Sequence, residues 1–338
     1  MSTAFRLLLI WNACAILSAP SYAANYSPSP QAPNPLLMNE GEKLSDEEPS
    51  TESPRRGRLG RERLGRLRLG RERLGDSQRG SGQKMVIGGI NVVVWEPTRI
   101  IGSSTTSPVV IFSHGYHGLN SGSAFLMKAL AQEGYLVIAP NHRDALFNGH
   151  TRKQIEFNRP NDWSETTYKD REHDIQQLIF ALHNDPNWNA KIDWSKLALV
   201  GHSLGGYTVL GLAGAWPSWK LPGVKAVLAL APYTNPYLSR DRLSGLNVPV
   251  MYQCGTRDTF INMFVKGRNG AFSKTSSPSV YVEFEDASHF AWTDLNINRK
   301  RRELVCHYSV EFLNKYVRGN ADAKPEERLD GVSTLQAK

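Results

Sequence analysis

The residues best placed to do chemistry are those of Gly201-His202-Ser203-Leu204-Gly205-Gly206. They follow the β-rich run Leu197–Val200 and open a helical stretch. A serine at the tip of a strand–turn–helix junction has its hydroxyl presented outward. The small residues beside it let strand and helix approach closely, and the helix N-terminus aims backbone N–H groups at developing negative charge. That is the chemistry of a nucleophilic serine. It needs a base, an acid to orient the base, and a second amide donor for the oxyanion. The second donor is expected in Phe112-Ser113-His114-Gly115-Tyr116-His117-Gly118, at the end of an earlier strand. The backbone N–H groups of Tyr116 and Leu204 are therefore assigned to the oxyanion hole.

Base and acid should follow the serine in the chain. Two histidines do so, His289 and His307. His307 falls in a closing helical stretch, whereas His289 lies in a loop just past the run Val280–Phe284, and it is the preferred base. The acid candidates are Asp241, Asp258, Asp286 and Asp294. Asp258 is preferred: it sits five residues beyond the run Val248–Gln253, at the carboxyl end of a strand. Asp241 lies in a polar connector, and Asp286 and Asp294 are close to His289 in sequence. Tyr233, Phe260, Phe290 and Trp292 flank these motifs and are the candidate lining of a substrate pocket, alongside Tyr116. His114 and His117 lack a third partner at metal-ligand spacing, so a structural use is expected. No metal or other cofactor is called for.

The elements that must position these groups alternate. Ile90–Trp95, Val109–Phe112, Tyr135–Ala139, Leu197–Val200, Val224–Ala229, Val248–Gln253 and Val280–Phe284 read as strands. Ala124–Gln132, Tyr168–Leu182, a stretch from Leu204, and Leu304–Val317 read as helices. The expected fold is α/β, a mostly parallel sheet with helices on both faces and sites at the carboxyl ends of strands. The connector from Ala231 to Val248 is short, so no large lid domain is expected. Asp144–Thr167 is the longer loop, placed to wall one side of the site.

The N-terminal part differs in kind. Arg6, a mostly apolar run from Leu7 to Leu17 and the exit Ser21-Tyr22-Ala23 read as a signal peptide over residues 1–23, cleaved after Ala23. This predicts a secreted or periplasmic protein with no transmembrane span. Residues 24–84 read as a disordered linker. Within it, Arg61-Glu62-Arg63-Leu64-Gly65 is followed by Arg66-Leu67-Arg68-Leu69-Gly70 and Arg71-Glu72-Arg73-Leu74-Gly75. A period of five gives neither a helical nor a strand face. Residues 55–84 hold ten Arg and Lys84 against Glu62, Glu72 and Asp76, so this stretch alone matches the chain's whole formal excess of +8. Residues 85–338 carry only +4 spread over 254 residues, which argues against a folded nucleic-acid-binding domain. The basic linker is expected to make at most weak contact with anionic surfaces, with no specific nucleic acid. Residues 85–320 form the expected catalytic domain, and 321–338 read as a polar C-terminal tail. Cys254 and Cys306 remain after cleavage, and a disulfide and two separate thiols both stay open.

The His-Gly loop after a strand, GHSLGG, Gly255-Thr256-Arg257-Asp258 and Ala287-Ser288-His289-Phe290-Ala291-Trp292, in this order, resemble the α/β-hydrolase superfamily. Over about residues 88–318 the body is similar to secreted serine esterases of the dienelactone-hydrolase, platelet-activating-factor acetylhydrolase and cutinase-like (polyester hydrolase) group. The acetylhydrolase side places its acid one strand earlier. The matching stretch here, Ala231-Pro232-Tyr233-Thr234-Asn235, has no carboxylate, so the resemblance points to Asp258, as in cutinase-like enzymes. Dienelactone hydrolases themselves use a cysteine, and Ser203 speaks against that activity. The resemblance implies an α/β-hydrolase fold and hydrolysis of a small-molecule or polymeric carboxylic ester through an acyl-enzyme. The alternative is a catalytically idle hydrolase fold that binds through its basic N-terminal arm.

Overall fold

A computed structural model describes residues 82–99, 105–146, 156–276 and 278–338. The signal peptide, all but the end of the linker including the Arg-Leu-Gly repeat, and part of the Asp144–Thr167 loop lie outside the described residues.

Short runs of Val, Ile, Leu and Ala with both faces covered are what a parallel sheet between helix layers requires. The central strands are of this kind, among nine strands in the described residues: β1 Gln83–Ile87, β2 Ile90–Trp95, β3 Ser107–Ser113, β4 Leu136–Pro140, β5 Ile192–His202, β6 Val224–Leu230, β7 Val250–Gly255, β8 Ser279–Phe284 and β9 Val332–Ala337. They form one sheet in the order β1-β2-β4-β3-β5-β6-β7-β8-β9. From β4 through β8 neighbours are parallel, while β1/β2, β2/β4 and β8/β9 are antiparallel. The central segments Val109–Phe112, Leu197–Val200 and Ala226–Leu230 are buried throughout. Among the described residues, helices cover both faces and no large lid insertion occurs. The five longer ones are α1 Ala124–Gln132, α2 Lys169–Asn184, α3 Leu204–Leu210, α4 Thr259–Val265 and α5 Arg299–Tyr316. No described helix is long and apolar enough to cross a membrane.

The seven strands read from sequence are all present. Two more frame them. β1 pairs with β2 through a turn at Gly88 and Gly89, and its sequence QKMVI has too few apolar residues to stand out from the basic stretch before it. The second addition corrects the polar tail. Residues 321–338 end in β9, which runs antiparallel to β8 with Val332 opposite Phe284 and Ala337 opposite Val280. The sequence of β9, VSTLQA, is half-buried because it lies at the edge of the sheet. Helix α5 begins five residues before the predicted start, capped by the Asn298 side chain accepting from the Arg301 N–H. Cys254, buried on β7, and Cys306, on α5, are free thiols.

Candidate active site

Helix α3 begins at Leu204, directly after β5, and Ser203 is the corner between them. Its backbone has φ 56° and ψ −115°, a region that costs a side-chain-bearing residue about 1–3 kcal/mol. Three hydrogen bonds hold it there. The Ser203 N–H donates to Leu230 O (2.9 Å), and Ser203 O accepts from the N–H groups of Tyr207 (3.2 Å) and Tyr233 (3.1 Å). The flanking glycines serve close approach: a Cβ on Gly201 would lie 2.2 Å from Gly205 O, and one on Gly205 1.9 Å from Ser113 O. Any side chain at either position would push the corner apart.

The loops after β7 and β8 bring the partners in. The His289 Nδ1–H donates to Asp258 Oδ2 at 2.6 Å. With that proton committed, Nε2 is the acceptor for the Ser203 hydroxyl at 2.9 Å. Asp258 is 5% exposed, while Ser203 and His289 are half-buried. The two loops are stitched together: Arg257 N–H donates to Ala287 O (3.0 Å), Thr256 N–H to Phe284 O (3.1 Å), and Asp286 N–H to Thr256 Oγ1 (2.9 Å). A Cβ on Gly255 would meet Ala287 O at 2.2 Å, which is why the β7 loop carries glycine there.

Sequence reasoning missed His202. It is 5% exposed, and its Nε2–H donates to His289 O at 2.8 Å. Burial, with a smaller contribution from the charge of His289, depresses it to about 3, so it stays a neutral donor that pins the backbone of the His289 loop. Its position beside Ser203 was visible, but its partner lies 87 residues on.

The other acid candidates have structural work. Asp294 accepts from the N–H groups of Ala124 (3.0 Å) and Phe125 (3.2 Å), capping α1. Asp286 is exposed and paired with Arg257, and Asp241 is exposed and faces Lys274. His307 lies in α5, with burial lowering its pKa. Leu204 opens α3 next to Ser203. On the facing loop, a Cβ added to Gly115 would come within 3.3 Å of Ser203 Cβ, so the residue before Tyr116 lies against Ser203.

The pocket expectation is corrected in part. Trp292 is fully buried and its indole N–H donates to Gln253 Oε1 (3.0 Å). Tyr233 is 1% exposed and its hydroxyl donates to Phe157 O (2.7 Å). Both are core: long aromatic side chains beside a loop motif suggest lining, but each has its polar atom satisfied inward. Phe260, Phe290 and Tyr116 are half-buried, with the Phe290 ring 5.7 Å from that of His289.

A second Ser–His–Asp line lies under the first. Ser113 Oγ is 2.8 Å from His142 Nε2, and His142 Nδ1 is 3.0 Å from Asp174 Oδ2. Ser113 and His142 are wholly buried, Asp174 nearly so. Burial, then the adjacent Arg171 cation, holds His142 well below its ordinary pKa. An imidazole in that position cannot take up a proton near neutral pH, and no substrate carbonyl can reach Ser113. The line is therefore a structural network. His114 belongs to it, donating Nδ1–H to Gly115 O (2.8 Å) and accepting the His142 N–H at Nε2 (3.0 Å), which is the structural use expected of it.

The profile of the dienelactone hydrolase family matches residues 94–317. The chain belongs to the dienelactone hydrolase family. Within the family's match, the strand–turn–helix corner carries serine. The chain is also 28% identical over 216 residues to cutinase est2 of Thermobifida alba, covering 63% of this chain and 61% of that protein. It is 28% identical to cutinase 2 of Thermobifida cellulosilytica, covering 63% of this chain and 70% of the relative, and to cutinase cut1 of Thermobifida fusca, covering 63% and 57%. The match thus spans somewhat less than two thirds of the first of these relatives.

Proposed function

We propose that this protein is a serine hydrolase that cleaves carboxylic esters through an acyl-enzyme. The observation that carries the reading is the line Ser203–His289–Asp258, two hydrogen bonds of 2.9 and 2.6 Å ending on a half-exposed serine in a strained corner. In this reading His289 Nε2 takes the Ser203 proton as Oγ attacks the ester carbonyl. Asp258 keeps Nδ1 protonated and stabilises the imidazolium that forms. The amides of Tyr116 and Leu204 receive the oxyanion, each worth about 3–4 kcal/mol in the transition state. His289 returns the proton to the leaving alkoxide, and water then enters by the same steps in reverse to release the acid.

Membership of the family and the relatives named cutinases support an ester as substrate, small or polymeric. The half-buried faces of Tyr116, Phe260 and Phe290 favour an apolar acyl or aromatic group beside the serine. The reading includes export, with cleavage after Ala23, and a basic segment over residues 55–84 that brings the enzyme near anionic surfaces.

The test is hydrolysis of p-nitrophenyl esters from acetyl to long acyl chains, together with labelling by a fluorophosphonate and mass mapping of the labelled peptide. The reading expects turnover and a label on Ser203. Full activity in Ser203→Ala would overturn it. N-terminal sequencing of the secreted product checks the cleavage site. Removing residues 24–81, which stops short of β1, should leave turnover of soluble esters intact, whereas an idle fold binding through its arm would show no turnover to begin with.

A further inference from the structure

Arg171 has the most unusual surroundings of any charged residue in the described structure: its side chain is 0% exposed. A guanidinium carries five N–H donors, and five acceptors meet it here. Nε and Nη2 fork onto Asp144 Oδ1 and Oδ2 at 2.9 and 2.8 Å. Nη1 donates to His114 O at 2.7 Å and, at 3.5 Å, to Ser113 Oγ. Nη2 also donates to Gly115 O at 3.1 Å. Burial alone would raise the Asp144 carboxyl, but the guanidinium outweighs it and holds that group well below the usual carboxylate range. The pair is therefore ionised, and its charges offset each other inside the fold.

The two carbonyls that Arg171 holds belong to the loop facing Ser203. Gly115 O accepts three donors: Arg171, His114 Nδ1–H and, across a tight turn, the Gly118 N–H at 3.0 Å. Gly115 O and the Tyr116 N–H share one peptide plane, and in a trans peptide they point in opposite directions. Fixing the oxygen toward Arg171 fixes the Tyr116 N–H away from it. Gly115 itself lies against Ser203. Asp144 closes the arrangement from the other side, Oδ2 accepting the His117 N–H at 3.4 Å.

We propose that Arg171, braced by Asp144, is a positioning residue of the oxyanion hole: by holding the carbonyls of His114 and Gly115 it sets the direction of the Tyr116 amide donor. Arg171 touches no substrate atom. Its work is done before the reaction, by removing the freedom of one peptide plane to turn. This inference rests on the ester-hydrolase reading above.

The experiment separates the two. Wild type must hydrolyse p-nitrophenyl butyrate and Ser203→Ala must not; failure there strikes the hydrolase reading itself. With that established, Arg171→Met and Arg171→Lys are compared with wild type in kcat, KM, pH–rate profile and inhibition by an aryl trifluoromethyl ketone. The hemiketal this ketone forms with the serine places an oxyanion at the same donors. Losing one oxyanion donor costs about 10²–10³ in kcat, and a loosened donor should cost about 30–100-fold in Arg171→Met. KM and the shape of the pH profile should hold, the ketone should weaken by a similar factor, and Arg171→Lys should fall between. A folded Arg171→Met with kcat and ketone affinity within about threefold of wild type overturns the inference. So does a loss of kcat with ketone affinity unchanged, because the defect then lies outside the oxyanion site. If Arg171→Met does not fold, Asp144→Asn decides: a parallel loss of about fivefold or more in both readouts supports the inference, and no change in either overturns it.

Discussion

Two lines of serine, histidine and aspartate run through this sheet with the same atom-to-atom connectivity. In one, Ser203 Oγ meets His289 Nε2 and His289 Nδ1 meets Asp258. In the other, Ser113 Oγ meets His142 Nε2 and His142 Nδ1 meets Asp174. The lines even start on neighbouring strands, with Ser113 of β3 paired to Gly201 of β5. Their surroundings differ in every respect that chemistry needs. Ser203 turns a strained corner and is partly open, while Ser113 continues a strand and is sealed. His289 is braced through its own carbonyl by a neutral His202, while His142 is buried beside the Arg171 cation that opposes its protonation. The lesson is that connectivity names candidates and does not select among them. A general base must be able to become charged, and a nucleophile must be reachable.

Breaking the reactive line should have the largest effect. Ser203→Ala is expected to lower kcat by about 10⁴–10⁶-fold, measured with p-nitrophenyl esters, with fluorophosphonate labelling lost. Asp258→Asn should cost about 10³–10⁴-fold, because the amide no longer fixes the imidazole tautomer; a loss under tenfold would move the acid elsewhere. His202→Phe removes one backbone brace and should cost about tenfold in kcat. The same operation on the sealed line should barely touch activity. Ser113→Ala is expected within about threefold of wild type in kcat, with about 1–2 kcal/mol of stability lost in urea unfolding.

The smallest effect concerns acid. Burial raises Asp174 to about 6, against about 4 for an unfolded aspartate. A folded-state pKa above the unfolded one gives a contribution that is full below pH 4 and is lost as pH rises toward 6. The buried neutral histidines His142 and His202 act in the opposite direction over the same window, so the readout is the difference between the two proteins: the Tm of Asp174→Asn relative to wild type should rise between pH 4 and 6. A difference that stays flat or falls through that window would contradict the burial argument.

The sequence carried the reactive line further than the supporting one, for a physical reason. Ser203, Asp258 and His289 each lie just past the end of a strand with a strong apolar signature, so local pattern and chain order locate them. Arg171 and Asp174 sit on α2, whose spacing predicts the apolar stripe Ile175, Leu178, Ile179 and Leu182 that the helix buries. Extending that stripe back by one turn reaches Arg171, and a charged residue there was the available signal for a buried clamp. What it clamps, the carbonyls of His114 and Gly115, lies more than 50 residues away and leaves no local trace. Trp292 and Tyr233 failed in the opposite direction. Their neighbourhood in sequence was that of the site, but each finds its hydrogen bond inside the core. β1 and β9 were missed because edge strands need only one buried face and can afford polar alternation.

That last strand has a consequence for how the molecule ages and is handled. Lys338 exchanges both backbone hydrogen bonds with Ser279, so the pairing of β9 with β8 runs on past Ala337. β8 behind it is buried along its whole length. Proteolytic loss of β9 would therefore do more than shorten the protein. It would uncover a row of vacant amides and carbonyls on an apolar strand, a template on which another damaged copy can add its own β8.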